Sequence, residues 1–560
     1  MKAHPDNKRV VVKTSTAAQA IVECIKNEDI RHVFCVPGES YLPVLDALYD
    51  EESIQVISAR HEGGAAFMAE GYAKSVLKPG VVLATRGVGG ANLSIGVHTA
   101  YQDSTPMVVF LGQVHSKFRG REGFQEVDLD QYFRHIAKWT VEVRDPERIP
   151  ELIQRAFRVA QTGRPGPVVI SLPEDVLPLE AEMVYGPVIT KPKPSPSIGE
   201  ITEVERILEK ANSPLIVAGG GIKSAQAEDM LVAFAEKYSI PVIAAFRRHD
   251  VFPHDHSLYL GHLGLGTNLK ILQTVEEADV ILAIGTRLSE VTTQDYRMIT
   301  PDKKLIHMDI DFETIGKVFP PDVGIVADSY EALAALSTIK VSSPWRNWVK
   351  ERRQAYEDAS NLHVTDEDVL NKHIISIMEA KLPKDTLLTN DAGNFAGWLH
   401  SFYPFTKKHT YVGPTSGAMG YGMPAALGAK LAFPDKTVVS LSGDGGFMMT
   451  IQELETAVRY QIGVICLVFN NKMYGTIRMH QEMHYPKRVV GTDLGSVSFV
   501  DIANSIGADS YLVTNRTEFT HAIDQALANE HPTVIEIITD KEQISVSSTI
   551  SQIRERSFKS

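Results

Sequence analysis

Short apolar runs that end in glycine-rich turns recur along the whole chain and constrain its fold more than any other feature. Examples are HVFCVPG at 32–38, GVVLATRGVGG at 80–90, PLIVAGGGI at 214–222 and KTVVSLSGDGG at 436–446. Short strands that alternate with helical stretches build parallel sheets covered by helices on both faces. The sequence therefore predicts an α/β protein. In such sheets ligands bind beyond the carboxyl ends of the strands, where the glycine-rich turns lie.

Two breaks divide the 560-residue chain into three parts. A chain of this length exceeds one typical core, because domains usually hold about 100–200 residues. The first break is VYGPVITKPKPSPSIGE at 184–200, whose alternating prolines favour an extended linker. The second is VSSPW at 341–345, which is followed by a highly charged helical stretch. We predict three domains of parallel sheets flanked by helices, at 14–183, 197–340 and 360–545.

Composition excludes several classes of protein. The net charge of −13 and the pI near 5.8 argue against non-specific binding to nucleic acid or to an anionic membrane. Cys24, Cys35 and Cys466 form no CxxC motif, which indicates buried thiols in a reducing compartment. No apolar run approaches the roughly 20 residues that span a bilayer, and the N-terminus lacks the apolar core of a secretion signal. We expect a cytoplasmic protein with no nucleic-acid or membrane partner.

The stretch LSGDGGFMMT at 441–450 places one carboxylate, Asp444, among glycines directly after an apolar run. By itself SGDGG is more often an ordinary turn, because Gly and Asp are common turn residues. However, the next apolar run, VICLVF, ends in NN, and the second of these, Asn471, follows Asp444 by 27 residues. Between them, Thr450 and Glu453 have the spacing of a helix capping box. A strand–helix–strand crossover of this length brings Asp444 and Asn471 to adjacent strand ends.

Oxygen ligands at these two strand ends suit a magnesium ion bound to a diphosphate. An aspartate oxygen, an amide oxygen and a backbone carbonyl are hard ligands, and two phosphate oxygens and a water complete an octahedron. Glycines let the backbone approach the phosphates, and a helix N-terminus adds a favourable dipole. The spacing therefore favours a metal–diphosphate site over a turn.

GDGGF and NNKMYG at this spacing resemble the thiamine diphosphate motif that begins GDG and ends NN. The resemblance implies thiamine diphosphate and Mg²⁺ as cofactors, with the metal held by Asp444, Asn471 and the carbonyl of Met473. Further cofactor-binding residues implied around the two strand ends are Gly443, Gly445, Gly446, Tyr474 and Gly475. NDAGNFAGW at 390–398 matches another diphosphate-binding turn of the family, which adds Gly393 and Asn394.

The resemblance extends to the first third of the chain. ISARHEGGAAFMAEGYAKS at 57–75 matches the family's pattern around the glutamate that is hydrogen-bonded to the aminopyrimidine ring, and it selects Glu62. By itself Glu62 would be a capped surface residue at the start of an alanine-rich helix. In PTSGAMGYGMPAALGAKLAF at 414–433, Met419 matches the apolar wedge that bends the two cofactor rings together, which is catalysis by positioning. Other residues that match the lining of the cofactor pocket are Gly38, Asn92 and Gln113.

The resemblance covers about Thr14 to Lys541 and is closest to the acetohydroxyacid (acetolactate) synthases. It includes FCVPGES, TRGVGGANL, TPMVVFLGQV, TGRPGPVVISLPEDV and HMDIDFETIGK. It implies decarboxylation of a 2-oxo acid, pyruvate, and carboligation to a second 2-oxo acid. Gln125 in GFQEVD matches the glutamine that family members direct at the second substrate. The implied domains are pyrimidine-binding, central Rossmann-like and diphosphate-binding, with active sites between the subunits of a homodimer or homotetramer.

The chain departs from the biosynthetic members of this family after the NN motif. Those members carry a tryptophan that helps to select 2-oxobutyrate, whereas His480 stands at that place in YGTIRMHQEMHYPKR. Arg478, His480 and His484 predict a more polar, basic specificity region, and hence an acceptor or donor with an additional anionic group. Full acetolactate turnover with pyruvate alone would argue against a substrate with an additional anionic group.

FAD is a further cofactor that the resemblance leaves open. Synthases of the biosynthetic type bind it in the central domain. The pattern Gly219-x-Gly221 fits a plain turn and a nucleotide contact about equally well. Arg164 and Arg287 stand at places that resemble flavin contacts, whereas YLGHLGLGTN at 259–268 follows the family's pattern only loosely.

Three alternatives to a carboligating synthase remain. Another 2-oxo acid decarboxylase or acyl transferase with a more polar acceptor would use the same cofactor, but such decarboxylases often carry paired histidines, and this chain has no HH pair. Glyoxylate carboligase lacks the activating glutamate, whereas this chain has Glu62. A non-catalytic paralogue is disfavoured because Glu62, Met419, Asp444 and Asn471 are all present. The sequence does not decide the physiological substrates or whether a regulatory subunit binds.

Overall fold

Three six-stranded parallel sheets, each flanked by helices, form the protein, which confirms the predicted α/β class. The computed structural model describes residues 10–188, 190–342 and 344–557. Residues 1–9, part of the N-terminus that showed no secretion signal, and Ser343 of the second predicted break lie outside these ranges. Among the described residues, no helix is long and apolar enough to cross a membrane.

The first sheet lies in residues 32–173, and its strand order is β3-β2-β4-β5-β7-β6. The elements of this part of the chain are β1 (Val11–Thr16), α1 (Ala17–Asn27), β2 (His32–Cys35), α2 (Leu42–Tyr49), β3 (Gln55–Ser58), α3 (Glu62–Val76), β4 (Gly80–Thr85), α4 (Arg86–Asp103), β5 (Met107–Gln113), α5 (Leu129–Phe133), β6 (Trp139–Glu142), α6 (Ile149–Gln161), β7 (Pro167–Pro173) and β8 (Glu180–Tyr185). Strands β1 and β8 form a separate antiparallel pair. Every residue of β5 and β7 is buried, as expected for strands covered on both faces.

The second sheet lies in residues 214–326, with the order β11-β10-β9-β12-β13-β14. Its elements are α7 (Ile198–Leu208), β9 (Pro214–Ala218), α8 (Gly220–Ser224), α9 (Glu228–Tyr238), β10 (Val242–Ala244), β11 (Tyr259–His262), α10 (Leu269–Glu277), β12 (Val280–Ile284), β13 (Lys304–Asp309), β14 (Val323–Val326), α11 (Ser329–Leu336) and α12 (Arg346–Ser360). Numbered within the sheet, this order is 3-2-1-4-5-6, the order of the dinucleotide-binding doubly wound fold. Helix α12 is the highly charged stretch that the sequence predicted.

The third sheet lies in residues 387–538, with the order β16-β15-β17-β18-β20-β19. Its elements are α13 (Leu370–Lys381), β15 (Leu387–Asn390), α14 (Ala396–Phe402), β16 (Tyr411–Val412), α15 (Gly422–Ala432), β17 (Val438–Gly443), α16 (Asp444–Thr450), α17 (Glu453–Arg459), β18 (Ile465–Asn470), α18 (Gly475–His484), α19 (Phe499–Ile506), β19 (Asp509–Val513), α20 (Arg516–Leu527), β20 (Thr533–Ile538) and α21 (Ile550–Ser557). Numbered within each sheet, the first and third sheets share one order, 2-1-3-4-6-5.

Helices α3 and α15 join the first and third sheets. Their apolar faces belong to one buried cluster, in which the rings of Phe67 and Tyr421 lie 5.3 Å apart. Beside them, the Lys74 ammonium pairs with the carboxylates of Glu70 at 2.8 Å and Asp103 at 2.6 Å. These buried, mutually paired charges join α3 to α4. The hydroxyl of Tyr421, the N-cap of α15, donates to Glu70 and so links the start of α15 to α3. All three cysteines are buried and free, as predicted.

Candidate active site

The carboxyl ends of β17 and β18 lie side by side and bring Asp444 next to the loop that contains Asn471. The two strands are parallel neighbours, and Asp444 begins α16 directly after β17. The Asp444 carboxylate accepts a hydrogen bond from the backbone N–H of Gly445 at 2.9 Å. In the neighbouring loop, the N–H groups of Lys472 and Met473 donate to the side chains of Asn470 and Asn471. Burial raises the pKa of Asp444 despite the bond from Gly445. A buried carboxylate beside an asparagine amide and a backbone carbonyl fits the hard oxygen ligands that Mg²⁺ requires.

Two glycines after Asp444 leave a cradle that any side chain would fill. A Cβ atom built at Gly445 would lie 2.5 Å from the ring of Tyr474, and one at Gly446 would overlap Oδ2 of Asp391. Asp391 is fully buried directly after β15, the strand beside β17. Its Oδ1 accepts the N–H of Gly422 at 2.5 Å, while its Oδ2 has no hydrogen-bond partner. The cradle therefore fits a diphosphate, since backbone N–H groups at a helix start can approach it closely.

Asp391 is a site residue that the sequence analysis missed. Burial raises its pKa to about 6, against the opposing hydrogen bond from Gly422. The signal was present in NDAGNFAGW, where a carboxylate follows an apolar strand directly, as Asp444 does. The resemblance to the family predicts only Gly393 and Asn394 in this turn, whereas the end of β15 places Asp391 there as well.

Asn394 holds several segments of the third domain together. Its amide nitrogen donates to the carbonyl of Ile544 at 2.9 Å, and its amide oxygen accepts from the Thr476 hydroxyl at 3.0 Å. The predicted diphosphate turn at Gly393 and Asn394 is therefore tied to α18 and to the C-terminal segment. Gly475, at the start of α18, lies against the amide of Asn471.

The loop that carries Met419 packs over the start of α16. Met419 is half-buried between two glycines in the left-handed region, Gly417 at φ 71° and Gly420 at φ 76°. The hydroxyl of Thr450 donates to the carbonyl of Gly420 at 2.8 Å. This bond ties the loop to the helix that Asp444 begins, so Met419 lies beside the diphosphate cradle.

The capping box predicted at Thr450 and Glu453 is wrong. Helix α17 begins at Glu453 with Gln452 as its N-cap, and no side chain caps it. The Glu453 carboxylate instead accepts hydrogen bonds from the backbone N–H groups of Arg60 and His61, in the first part of the chain. The local spacing matched a capping box, but a tertiary contact provides both carboxylate oxygens with other donors.

Glu62 is the first residue of α3 and is half-buried. Its Oε2 accepts a hydrogen bond from the amide nitrogen of Asn92 at 2.9 Å, so Asn92 on α4 orients the carboxylate. The ring of His61 caps the helix by accepting the N–H of Gly63 at 2.9 Å. Gly38, three residues after β2, permits close contact with Thr85, since a Cβ atom at Gly38 would lie 2.5 Å from Cβ of Thr85.

The loop that carries Gln125 is held in one conformation. Gln125 itself lies in the left-handed region at φ 62°, and its carbonyl accepts the N–H of Gly87 at 3.0 Å. The buried amide of Gln113 donates to a carbonyl of the same loop at 2.9 Å. The ion pair of Arg119 with Glu126, at 2.9 Å, closes it. Gln113, predicted as a pocket residue, therefore supports the Gln125 loop.

The two groups of site residues are separate within one chain. In the part of the chain that the structure describes, no hydrogen bond or ion pair joins Glu62 to Asp444, Asn471 or Met419. Large apolar side chains are exposed near both groups. They are Val88 and Ile95 on α4, Met448 and Met449 on α16, and Ile477 on α18. Exposed apolar surface of this kind is typical of a protein–protein interface.

The basic surface predicted on α18 is partly neutralised. Arg478 pairs with the buried carboxylate of Glu482 at 3.0 Å, and Arg554 of α21 pairs with the same carboxylate at 2.6 Å. Hydrogen bonds from Arg554, with help from Arg478, lower the pKa of Glu482 to about 2. His480 and His484 lie one turn apart on the exposed face, with ring centroids 6.2 Å apart. Unlike Arg478, the two histidines are exposed and form no ion pair among the described residues.

A cavity of about 670 Å³ lies at the carboxyl ends of β9 and β12. These are the strands between which the order of the second sheet reverses, the point where doubly wound folds bind dinucleotides. Gly220 and Gly221 line one wall, and Arg164, Arg248 and Arg287 line another. Burial, reinforced by the charge of Arg164, lowers the pKa of Arg287 to about 10. The cavity is suited to an anionic ligand.

Three sequence profiles of one enzyme family match the chain. They are the thiamine pyrophosphate enzyme N-terminal TPP binding domain at residues 15–132, the central domain at 201–336 and the C-terminal TPP binding domain at 391–537. Asp444, Asn471 and the glycine cradle lie in the third match, and Glu62 and Asn92 lie in the first. Fold and site together define a thiamine diphosphate-dependent enzyme.

Curated relatives narrow this class. The probable acetolactate synthase large subunit of Methanocaldococcus jannaschii is 34% identical over 93% of this chain and 92% of its own. The acetolactate synthase large subunit of Corynebacterium glutamicum is 34% identical over 94% of this chain and 87% of its own. The isozyme 1 large subunit of Escherichia coli is 32% identical over 95% of both chains. The chain therefore belongs to the family of acetolactate synthase large subunits, which confirms the resemblance found in the sequence.

Proposed function

We propose that this enzyme decarboxylates pyruvate and joins the product to a second 2-oxo acid, as an acetolactate synthase does. The observation that carries the proposal is the pair of strand ends at Asp444 and Asn471 beside the cradle of Gly445 and Gly446. The names of the relatives supply the reaction. Gln125, on its fixed loop, is the residue we assign to the second substrate.

The chain's own residues would hold the cofactor at both ends. Asp444, Asn471 and the carbonyl of Met473 would bind Mg²⁺, and the backbone at Gly445 and Gly446 would bind the diphosphate. Thiamine diphosphate supplies the electron sink that a 2-oxo acid needs to lose carbon dioxide. Met419 would orient the two rings, and Glu62 would share a proton with a ring nitrogen of the aminopyrimidine. Asn92 would hold the Glu62 carboxylate in place, since its amide already donates to it.

We propose that a second copy of the chain completes the site. Glu62 and Asp444 make no contact with each other within the described chain, and apolar side chains are exposed near both. Two copies that bury these faces against each other would bring Glu62 of one to the cofactor held by the other. A dimer, or a tetramer of two dimers, follows. The relatives are named large subunits, which supports a smaller partner subunit as well.

The cavity of the second domain supports FAD as an additional ligand. Its position at the switch point of a 3-2-1-4-5-6 sheet is that of a dinucleotide site. Arg164, Arg248 and Arg287 would balance the charge of a pyrophosphate. A flavin absorption spectrum from the purified protein would support this assignment. Purified protein that stays colourless after incubation with FAD would contradict it.

A second candidate function is acyl transfer to a more polar acceptor. The observation in its favour is the exposed pair His480 and His484. His480 stands where the sequence resemblance places a tryptophan in biosynthetic members. Incubation with thiamine diphosphate, Mg²⁺ and a panel of 2-oxo acids, with products identified by mass spectrometry, separates the two. Acetolactate from pyruvate alone supports the first proposal. Turnover that requires an acidic or hydroxylated acceptor supports the second.

Replacement of Glu62 by Gln tests the chemistry directly. We expect Glu62→Gln to lower kcat by about 100-fold or more, because general acid–base catalysis contributes about 10²–10⁴. Binding of thiamine diphosphate, measured by calorimetry, should change little, since the diphosphate is held elsewhere. Product formed at the wild-type rate by Glu62→Gln would overturn the assignment.

A further inference from the structure

Glu453 is a fully buried carboxylate that the proposed mechanism does not use. It lies at the start of α17, yet both of its oxygens point to the first part of the chain. The backbone N–H of Arg60 donates to Oε2 at 3.1 Å, and that of His61 donates to Oε1 at 3.0 Å. The Thr456 hydroxyl is a third donor, at 2.7 Å from Oε2. Within the described residues no cationic side chain forms an ion pair with Glu453, so its charge is stabilised mainly by hydrogen bonds from backbone amides.

A buried carboxylate without a cation is costly unless its hydrogen bonds are complete. Two of the three donors of Glu453 belong to Arg60 and His61, the residues that directly precede Glu62. These N–H groups stand at the start of α3, where a helix leaves backbone donors without partners. Glu453 therefore determines where the chain enters α3, and Glu62 is the next residue after that point.

Packing around Glu453 is close. A Cβ atom at Gly64, in the first turn of α3, would lie 2.6 Å from Cγ of Glu453. The side chain thus lies flat against the first turn, and it can do so only because residue 64 is glycine. Any displacement of Glu453 would be transmitted to the backbone at Arg60 and His61.

We infer that Glu453 is a positioning residue for Glu62, and that it sets the orientation of the carboxylate that activates the cofactor. This inference rests on the proposed role of Glu62. The segment that begins with the metal ligand Asp444 continues through α16 directly into Glu453. One short stretch of chain therefore holds the metal and also fixes the position of an activating carboxylate.

Replacement of Glu453 by Gln is the test, because Gln keeps the size of the side chain but offers only one oxygen to the two backbone N–H groups. We expect hydrogen–deuterium exchange at the reactive carbon of bound thiamine diphosphate to slow about 10–100-fold, since a misplacement of about 1 Å can cost about 100-fold. The kcat should fall with it. The KM for pyruvate and the affinity for thiamine diphosphate should change less than about threefold, because Glu453 binds neither pyruvate nor thiamine diphosphate.

Two further variants separate positioning from folding. Asp501→Asn, at an exposed carboxylate on α19 of the same domain, should exchange at the wild-type rate. Gly64→Ala should reproduce the slow exchange of Glu453→Gln, because its Cβ displaces the same carboxylate. The melting temperature and the fraction of cofactor bound are measured for each variant, so that exchange is compared only in folded, loaded protein.

The outcomes are distinct. Slow exchange in folded, loaded Glu453→Gln and Gly64→Ala supports the inference. The inference is overturned if cofactor-loaded Glu453→Gln exchanges at the wild-type rate, or if its exchange rate falls only in proportion to the unfolded fraction. Glu453 is then a structural residue. If Glu62→Gln also exchanges at the wild-type rate, the proposed role of Glu62 fails instead, whatever the Glu453 variants show.

Discussion

The first and third sheets have the same strand order, but the residues that follow equivalent strands carry opposite charges. Strand β4 is followed by Arg86 and strand β17 by Asp444, and each residue begins a helix. Arg86 is neutralised within the chain by Glu39 at 3.1 Å and Glu174 at 2.9 Å. Asp444 has only backbone N–H donors and no ion pair among the described residues. The same position of the fold thus holds a cation that is ion-paired within the chain in one sheet and a carboxylate without an ion pair, able to bind a metal, in the other.

A related difference, between an apolar residue and a carboxylate, occurs one strand away. Strand β2 is followed by Val36, whereas the equivalent strand β15 is followed by the buried Asp391. Both differences add carboxylates to the third sheet at the edge where the glycine cradle lies. Fold alone therefore does not distinguish the two equivalent edges, whereas the carboxylates after β15 and β17 mark the edge at which we propose the diphosphate site.

The largest effect should come from Asp444→Ala. Asp444 is the one anionic group among the three metal ligands that we propose, so we expect the Mg²⁺-dependent affinity for thiamine diphosphate to fall by at least about 100-fold without it. Isothermal titration calorimetry with and without Mg²⁺ measures this. Arg86→Met, at the equivalent position, should lower stability by about 1–3 kcal/mol but keep the cofactor affinity within about threefold. Equal losses of affinity in both variants would break the comparison.

Alanine at the next residue should give an intermediate effect. Gly445→Ala places a Cβ atom 2.5 Å from the Tyr474 ring, so we expect the cofactor affinity to fall about 10-fold as the cradle closes. Its equivalent, Gly87→Ala, places a Cβ atom 3.0 Å from the carbonyl of Gln125. That variant should raise the KM for the second 2-oxo acid and leave the cofactor affinity unchanged. Steady-state kinetics and cofactor titration of both proteins check this. A loss of cofactor affinity in Gly87→Ala would contradict it.

The smallest effect concerns Asp391 and pH. Its folded pKa, about 6, lies above the unfolded value of about 3.9. The folded state therefore holds a proton that the unfolded state has released, and the stability from this group is lost as the pH rises through about 6. Between pH 4.5 and 6.5 this amounts to about 2 kcal/mol. The free energy of unfolding of Asp391→Asn should not show this decrease over the same pH range.

Denaturant unfolding of the cofactor-free protein at both pH values measures the difference between the variant and wild type. Asp501→Asn, at an exposed carboxylate on α19, is the control and should follow wild type. A pH dependence identical in wild type and Asp391→Asn would show that Asp391 is ionised in the folded protein.

The neighbourhood of Asp444 and Asn471 could be predicted because it arises within one strand–helix–strand unit. A carboxylate after one apolar run and an asparagine after the next must meet at the same edge if the strands are parallel. Asp391 could have been found by the same rule. By contrast, the neutralisation of Arg478 depends on Arg554, in the C-terminal helix, and no local pattern in α18 reveals that partner. The spacing of Thr450 and Glu453 predicted a capping box wrongly for a similar reason, since the backbone partners of Glu453 lie in the first part of the chain.

By itself the sequence determined the α/β class, the family and the strand ends that would hold a metal and a diphosphate, because each depends on residues close together along the chain. Only the tertiary structure decided that Glu453 holds the residues before Glu62, across 392 positions, and that Gln113 supports the Gln125 loop. It also decided that the second sheet opens a cavity lined by arginines from two parts of the chain. The physical reason is that a buried polar group takes its partners from whatever the packing of domains brings near, and that packing is not encoded in any short pattern.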